Sequence, residues 1–222
     1  GGGSVVDGSK YIAAGMAHPG APWELLTTDA ASRLTGVMPI GVVLTLPATG
    51  SESNDGAVIS RYASSDKLEF KTPLVQPRFA ILDPLTTFSL PPQQTANGIV
   101  DTFVHVTEQY LTYPAQAPIQ DRWAEGLLQT LIETGPVLME KPDDYHARAT
   151  AMWGATLALN RLIGMGVPHD WSAHMIGHEV TGLFGIDHGR TLAALMPAVL
   201  EVCRDDKHDK LLQYAERVWG IR

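Results

Sequence analysis

The sequence predicts an α/β region over residues 1–88 followed by an all-helical region over 89–222, on three observations. Up to about Pro84, short apolar runs alternate with loops. Beyond Leu90-Pro91-Pro92, apolar residues recur at three- and four-residue spacing, the mark of a buried helical stripe. Gly/Pro pairs then punctuate the periodic stretches without any internal repeat.

Taken in order, Val5 to Met16 reads as a helix with Ser4 as its cap. Pro39-Ile40-Gly41-Val42-Val43-Leu44 is apolar, partly β-branched and bounded by Pro39 and Pro47, so it reads as a buried strand. Arg78 to Leu82 reads as a second strand, closed by Asp83-Pro84. Ile99, Val100, Phe103 and Val106 place a helix over 95–110. Further helices are expected over 122–134, 145–163, 171–183, 189–203 and 207–219, with Gly135-Pro136, Gly164 to Pro168 and Gly185 between them.

The chain has 222 residues, enough for one large domain or two small ones. A hydrophobic share of 45% and a charged share of 18% are those of a globular protein. The net charge of -8 argues against a nucleic-acid partner, which needs a basic face. No apolar run is long enough to span a membrane, and the start lacks the basic flank and apolar stretch of a signal peptide. The single cysteine, Cys203, excludes an internal disulfide and fits a reducing compartment, so a cytoplasmic location is expected. Near the end of a helix, Cys203 reads as a small buried hydrophobe rather than a reactive thiol. The chain reads as cut at both ends, starting on a glycine loop without a preceding strand and stopping just after an amphipathic segment.

Asp101 and His105 stand four residues apart, on one helix face and about 5–6 Å apart at Cβ, so both can reach one ion. Alone, such a pair is more often a solvated face. Six of the eight histidines fall between His105 and His188, however, and His174 and His178 repeat the spacing. Mixed carboxylate and imidazole donors suit Fe(II) or Zn(II), not calcium or magnesium. Spacing selects His174 and His178 as the second pair and leaves His188 without a role.

Two loops suggest an anionic ligand. Gly1 to Lys10 has the form of a glycine loop opening a helix, where small residues and free N–H groups admit a pyrophosphate. It is not Gly-x-Gly-x-x-Gly, and a simple turn has the same composition. Thr45 to Asn54 is hydroxyl-rich and follows the 40–44 strand at the end where ligands bind in open α/β sheets; an ordinary Ser/Thr capping segment also fits.

In this order, Gly1-Gly2-Gly3-Ser4-x-x-Asp7-x-x-Lys10, Thr45-Leu46-Pro47-Ala48-Thr49-Gly50-Ser51-Glu52, Asp83-Pro84, Leu90-Pro91-Pro92, Asp101-x-x-x-His105-x-x-Glu108 and His174-x-x-x-His178 ending at Asp187-His188-Gly189 form one spaced set. The set resembles the iron-containing (group III) alcohol dehydrogenase family along the whole chain, and within it the bacterial NADP-dependent aldehyde reductases and butanol dehydrogenases. The resemblance implies a partial dinucleotide-binding, Rossmann-like domain followed by a helical metal-binding domain of the dehydroquinate synthase-like kind. It implies Asp101, His105, His174 and His188 as metal ligands and gives His178 the proton-handling role. It also implies cofactor contacts from Gly2, Gly3 and Ser4 at the pyrophosphate, and from Asp7 near the nicotinamide. Thr45, Leu46 and Thr49 would touch nucleotide and nicotinamide, and Lys67 the phosphate or ribose. Full family members are longer, so the first strands and the last helices are expected to lie outside this chain.

The expected chemistry is interconversion of small aldehydes and alcohols by hydride transfer with NADP(H), or NAD(H), over Fe2+ or Zn2+, in a homodimer when full-length. A metal-dependent lyase or hydrolase on a related scaffold, or a metal-binding fragment without catalysis, are the competing readings.

Overall fold

The computed structural model describes residues 1–221. The N-terminal part comprises helices α1 (Gly3–Ala17) and α2 (Glu24–Thr27), strand β1 (Gly41–Val43), a hairpin of β2 (Gly56–Arg61) and β3 (Asp66–Lys71), and strand β4 (Phe79–Ile81). Six helices follow: α3 (Pro92–Tyr110), α4 (Pro118–Glu140), α5 (Tyr145–Leu159), α6 (Ser172–Phe184), α7 (His188–Val202) and α8 (His208–Trp219). No helix among the described residues is long and apolar enough to cross a membrane.

The two strands read from their apolar runs form and pair in parallel, with Val42 opposite Ala80. Their loops therefore leave at the same end, where Thr86 donates to the Leu44 carbonyl at 2.7 Å and steadies the start of the 45–53 loop. The strands are not buried as expected. In this two-stranded sheet only Val42 is buried, and Val43, Phe79 and Ile81 stay exposed because no further strand of the described residues covers them. The β2–β3 hairpin was not legible as strands. Only Ala57 and Phe70, cross-strand partners, are buried, so no apolar alternation marks it.

Three further expectations need correction. Ser4 is not the cap of α1: Gly2 takes that place, Ser4 sits exposed in the first turn, and no side chain caps it. Helix α4 does not stop at Gly135-Pro136 but runs through Pro136 to Glu140. Proline removes one ladder hydrogen bond, but α4 packs along both α3 and α5, and Gly135 lets it approach Ile99, so burial outweighs the local penalty. Cys203 is half-buried at the end of α7 rather than sealed in the core.

Helix α3 begins at the prolines that mark the change of character, with Pro92 in its first turn, where a missing N–H costs nothing. It is the central element, contacting α4, α5 and α7. Val106, Tyr110, Leu111, Ala124, Leu128, Ala158 and Ile163 form the main helical core. Val104, Ala173, Leu192 and Met196 make a smaller one between α3, α6 and α7. The N-terminal part has a core of small residues with Leu25, Phe70 and Val75.

The 45–53 loop docks onto the helical part. A Cβ on Gly98 would come within 2.5 Å of the Pro47 carbonyl oxygen. Thr156 donates to buried Glu52 at 2.6 Å, and Arg161 pairs with Asp55. A Cβ on Gly182 of α6 would likewise lie 2.6 Å from the Ser65 carbonyl oxygen, so the hairpin rests on α6. Because backbone cannot yield as a side chain can, Gly98→Ala should destabilise the protein by about 1–3 kcal/mol. Urea unfolding checks this; an unchanged midpoint would mean that the loop is not held this tightly.

Candidate metal centre and cofactor cleft

Asp101 lies mid-way along α3 with its side chain toward α6 and α7, and its Oδ1 faces three imidazoles. His174 Nε2 is 3.5 Å away, His105 Nδ1 3.7 Å and His188 Nε2 3.9 Å. Asp101, His174 and His188 each offer one ligand atom within 4.8 Å of the others. His105 meets Asp101 and stacks on the His174 ring at 4.4 Å, but falls outside that triangle. His178 stands beside it, its ring 5.0 Å from that of His188 and 6.4 Å from that of His174.

Among the described residues, six buried side-chain N or O atoms have no hydrogen-bond partner, and three of them face one another here: Asp101 Oδ1, His105 Nδ1 and His174 Nε2. His188 leaves Nδ1 unpartnered and turns Nε2 toward Asp101. Buried polar atoms are rarely left unpaired, so their concentration at one point fits a cation. The donor set, one carboxylate with imidazoles, is one that Fe(II) and Zn(II) accept.

Each ligand-bearing element is fixed by a neighbour. Glu108, one turn beyond His105, is buried; its Oε1 accepts from Ala173 N–H at 2.6 Å and His174 N–H at 3.3 Å. Its Oε2 meets His174 Nδ1, which leaves Nε2 turned toward Asp101. Asp187, ahead of α7, accepts from Gln93 at 2.8 Å and Asn97 at 3.1 Å, tying His188 to α3. Gly189 permits this, since a Cβ there would sit 2.6 Å from the Asn97 carbonyl oxygen. The Trp171 ring lies edge-on to His174 and His105 and screens them.

The charges follow from burial and proximity. Burial would raise the Asp101 carboxyl, but the three imidazoles hold it well below the usual carboxylate range. Burial presses His105 down to about 4. It presses His188 to about 3, against Asp101, and His178 to about 3, helped by Lys67. These three rings are therefore neutral near pH 7. Burial lowers His174 as well, but Asp101 and Glu108 outweigh it and raise it to about 9.

The candidates at the start of α1 and in the 45–49 loop lie against one another. Thr45 N–H donates to the Gly1 carbonyl at 3.1 Å; a Cβ on Gly2 would touch Leu46, and one on Gly3 would clash with Thr49 at 2.6 Å. The first turn of α1 and the 45–49 loop are thus pressed together by glycines. Asp7 is buried; its Oδ2 accepts from Val58 N–H at 3.0 Å, its Oδ1 has no partner, and burial raises its carboxyl. Half-buried Lys67 on β3 is near enough to Asp101 and Asp7 to feel both charges, while burial lowers its ammonium.

Residues 1–84 match the model of the iron-containing alcohol dehydrogenases, and residues 95–221 match the C-terminal part of the same family. The chain belongs to the iron-containing alcohol dehydrogenase family. It is 57% identical over its whole length to the NADPH-dependent aldehyde reductase YqhD of Escherichia coli, covering 57% of that protein. It is 41% identical to the NADH-dependent butanol dehydrogenase B of Clostridium acetobutylicum, covering 56% of it. The crystal structure of the E. coli protein superposes with a TM-score of 0.97 over all of this chain and 57% of that one. The NADH-dependent butanol dehydrogenase A of Thermotoga maritima gives 0.94 at 34% identity, over all of this chain and 55% of that one. The chain thus spans little more than half the length of these members of the family, which places it in an oxidoreductase family with a Rossmann-like and a helical part.

Glu108 and Asp187 stand in the sequence motifs, but the sequence assigns neither a role. The i, i+4, i+7 series Asp101, His105, Glu108 on one helix face was the available signal. Glu108→Gln keeps the shape but replaces the acceptor at His174 Nδ1 with an amide, disturbing the tautomer that presents Nε2. It should weaken Fe2+ or Zn2+ affinity about 10–100-fold with little change in helix content. Competition with a chelator, read beside circular dichroism, measures this; unchanged affinity would make Glu108 a helix cap only.

Proposed function

We propose that this chain carries the metal centre and part of the cofactor cleft of an enzyme interconverting small aldehydes and alcohols with NADP(H), or with NAD(H). The observation that carries the reading is the knot of buried carboxylate and imidazole ligand atoms at Asp101, His174 and His188, with Asp101 Oδ1 and His174 Nε2 left without a hydrogen-bond partner. The relatives' names, an NADPH-dependent aldehyde reductase and NADH-dependent butanol dehydrogenases, support the reaction class and leave both nucleotides open.

In this reading Asp101, His105, His174 and His188 hold a divalent cation, Fe2+ by the family's name or Zn2+ by its donors. Such a cation supplies Lewis-acid polarisation of a carbonyl, and the nicotinamide supplies the hydride. The uncapped first turn of α1, with Gly2, Gly3 and Ser4, offers N–H groups to the pyrophosphate. Thr45, Leu46 and Thr49 face the nucleotide from the adjoining loop, and the free Oδ1 of Asp7 accepts a hydrogen bond at the nicotinamide end. Lys67, lying close to the cluster, suits the nicotinamide ribose better than a distant phosphate. His178, neutral and beside His188, relays the proton that an alkoxide requires rather than storing one. The division at residues 88 and 89, a cytoplasmic location and a homodimer of the full-length protein complete the proposal.

The deciding experiment loads the protein with Fe2+ or Zn2+ and follows NADPH absorbance on addition of a small aldehyde. His174→Ala and His188→Ala should each abolish metal retention, read by elemental analysis, and turnover with it. Wild-type metal content in both variants would overturn the ligand assignment. Retained metal with no NADPH oxidation would point to another reaction on this centre.

A further inference from the structure

Lys10 takes no part in the function proposed above, yet it is fully buried, with 0% of its surface exposed. A buried ammonium is costly unless its protons are accepted, and here all three are. Its Nζ donates to the Asn54 carbonyl at 2.8 Å, to Asn54 Oδ1 at 3.1 Å and to the Gly56 carbonyl at 2.7 Å. All three acceptors belong to one turn, so α1 and that turn are fastened at a single point.

The fastening reaches further in both directions. Asn54 Nδ2 donates to the Gly50 carbonyl at 2.9 Å, and its Oδ1 also accepts from Gly56 N–H at 3.1 Å. Gly50, held at φ +59°, follows Thr49, whose side chain lies against Gly3 in the first turn of α1. On the other side Gly56 opens β2, and Val58 of that strand donates to Asp7, one helical turn before Lys10. Burial lowers the Lys10 ammonium to about 8, while Asp7, Asp55, Glu52 and Glu69 pull the other way and keep it charged near pH 7.

We infer that Lys10 is a positioning residue for the cofactor cleft: its ammonium pins the 49–56 loop to α1, so the anion-facing first turn and the residues 45–49 keep one spacing before a ligand arrives. The pinning is a property of this chain alone; only its consequence for NADPH rests on the proposed function.

Lys10→Met tests it, compared with the unaltered protein by amide hydrogen exchange and NADPH titration. The amides of Ser53, Gly56 and Val58 should exchange at least about tenfold faster in the variant, with α6 and α7 amides and bound metal unchanged. The KM for NADPH should rise about tenfold, with kcat at saturating NADPH within about twofold. If Lys10→Met does not fold, Asn54→Ala, which removes one of the three acceptors of Lys10 and the tie to Gly50, carries the measurements at Ser53 and Val58, since Gly56 loses its own acceptor in that variant. Parental exchange rates in either folded variant would overturn the pinning. Faster exchange with unchanged NADPH affinity would overturn the positioning role. If the unaltered protein binds no NADPH, the proposed function fails, while the exchange rates still decide the pinning.

Discussion

A carboxylate buried between helices has to be met by positive charge or hydrogen-bond donors, and around Asp101 that demand sets the arrangement of α3, α6 and α7. His105 comes from the next turn of α3, His174 from the start of α6 and His188 from the first residue of α7. Two further carboxylates fix the incoming helices: Glu108 takes the first amides of α6, and Asp187 is held by Gln93 and Asn97. Stability at this junction comes from Val104, Ala173, Leu192 and Met196, because buried ionic groups cost solvation that their mutual attraction only partly returns. The ionic cluster instead specifies register. A shift of α6 by one residue would leave Glu108 facing the wrong amides and His174 facing away from Asp101.

The N-terminal part depends on that junction for its own shape. Its core is built mainly of alanines with Leu25, Phe70 and Val75, and its two strand pairs are short. The Thr45–Ser53 loop is fastened by its own Thr49–Ser51 and Ser53–Gly50 hydrogen bonds and meets α3 at Gly98 and α5 at Thr156. The turn that follows it, at Asn54 and Gly56, meets Lys10 of α1. The hairpin carrying Lys67 is set against α6 at Gly182. The N-terminal and helical parts thus meet through close glycine contacts and buried polar groups.

Much of the architecture was legible because long helices repeat their apolar residues over many turns. The 95–110, 171–183, 189–203 and 207–219 stretches form close to where periodicity and glycine stops place them. The apolar runs at 40–44 and 78–82 form strands for the same reason. Where local signals were weak or conflicted with packing, reading failed. The β2–β3 hairpin buries too little to show a pattern, and α4 crosses Gly135-Pro136 because its neighbours hold it on both sides. Ser4, a good cap by type, is displaced because Gly2 and Gly3 alone allow the close contact with Leu46 and Thr49.

The Asp101/His105 pair shows where sequence stops. Residue types and four-residue spacing determined that a carboxylate and an imidazole share one face of α3, that the donors suit Fe(II) or Zn(II), and that His174 and His178 repeat the interval. Spacing along a chain carries no information about which turn of a distant helix faces a given atom. The family resemblance, not spacing, singled out His188 and set His178 aside. What only the tertiary structure adds is that α6 and α7 pack on α3 so that His174 and His188 each bring a ring nitrogen close to Asp101, with His178 beside them. The tertiary structure likewise gave Glu108 and Lys10 their work, since both act on residues far away in sequence that folding alone brings within hydrogen-bonding reach.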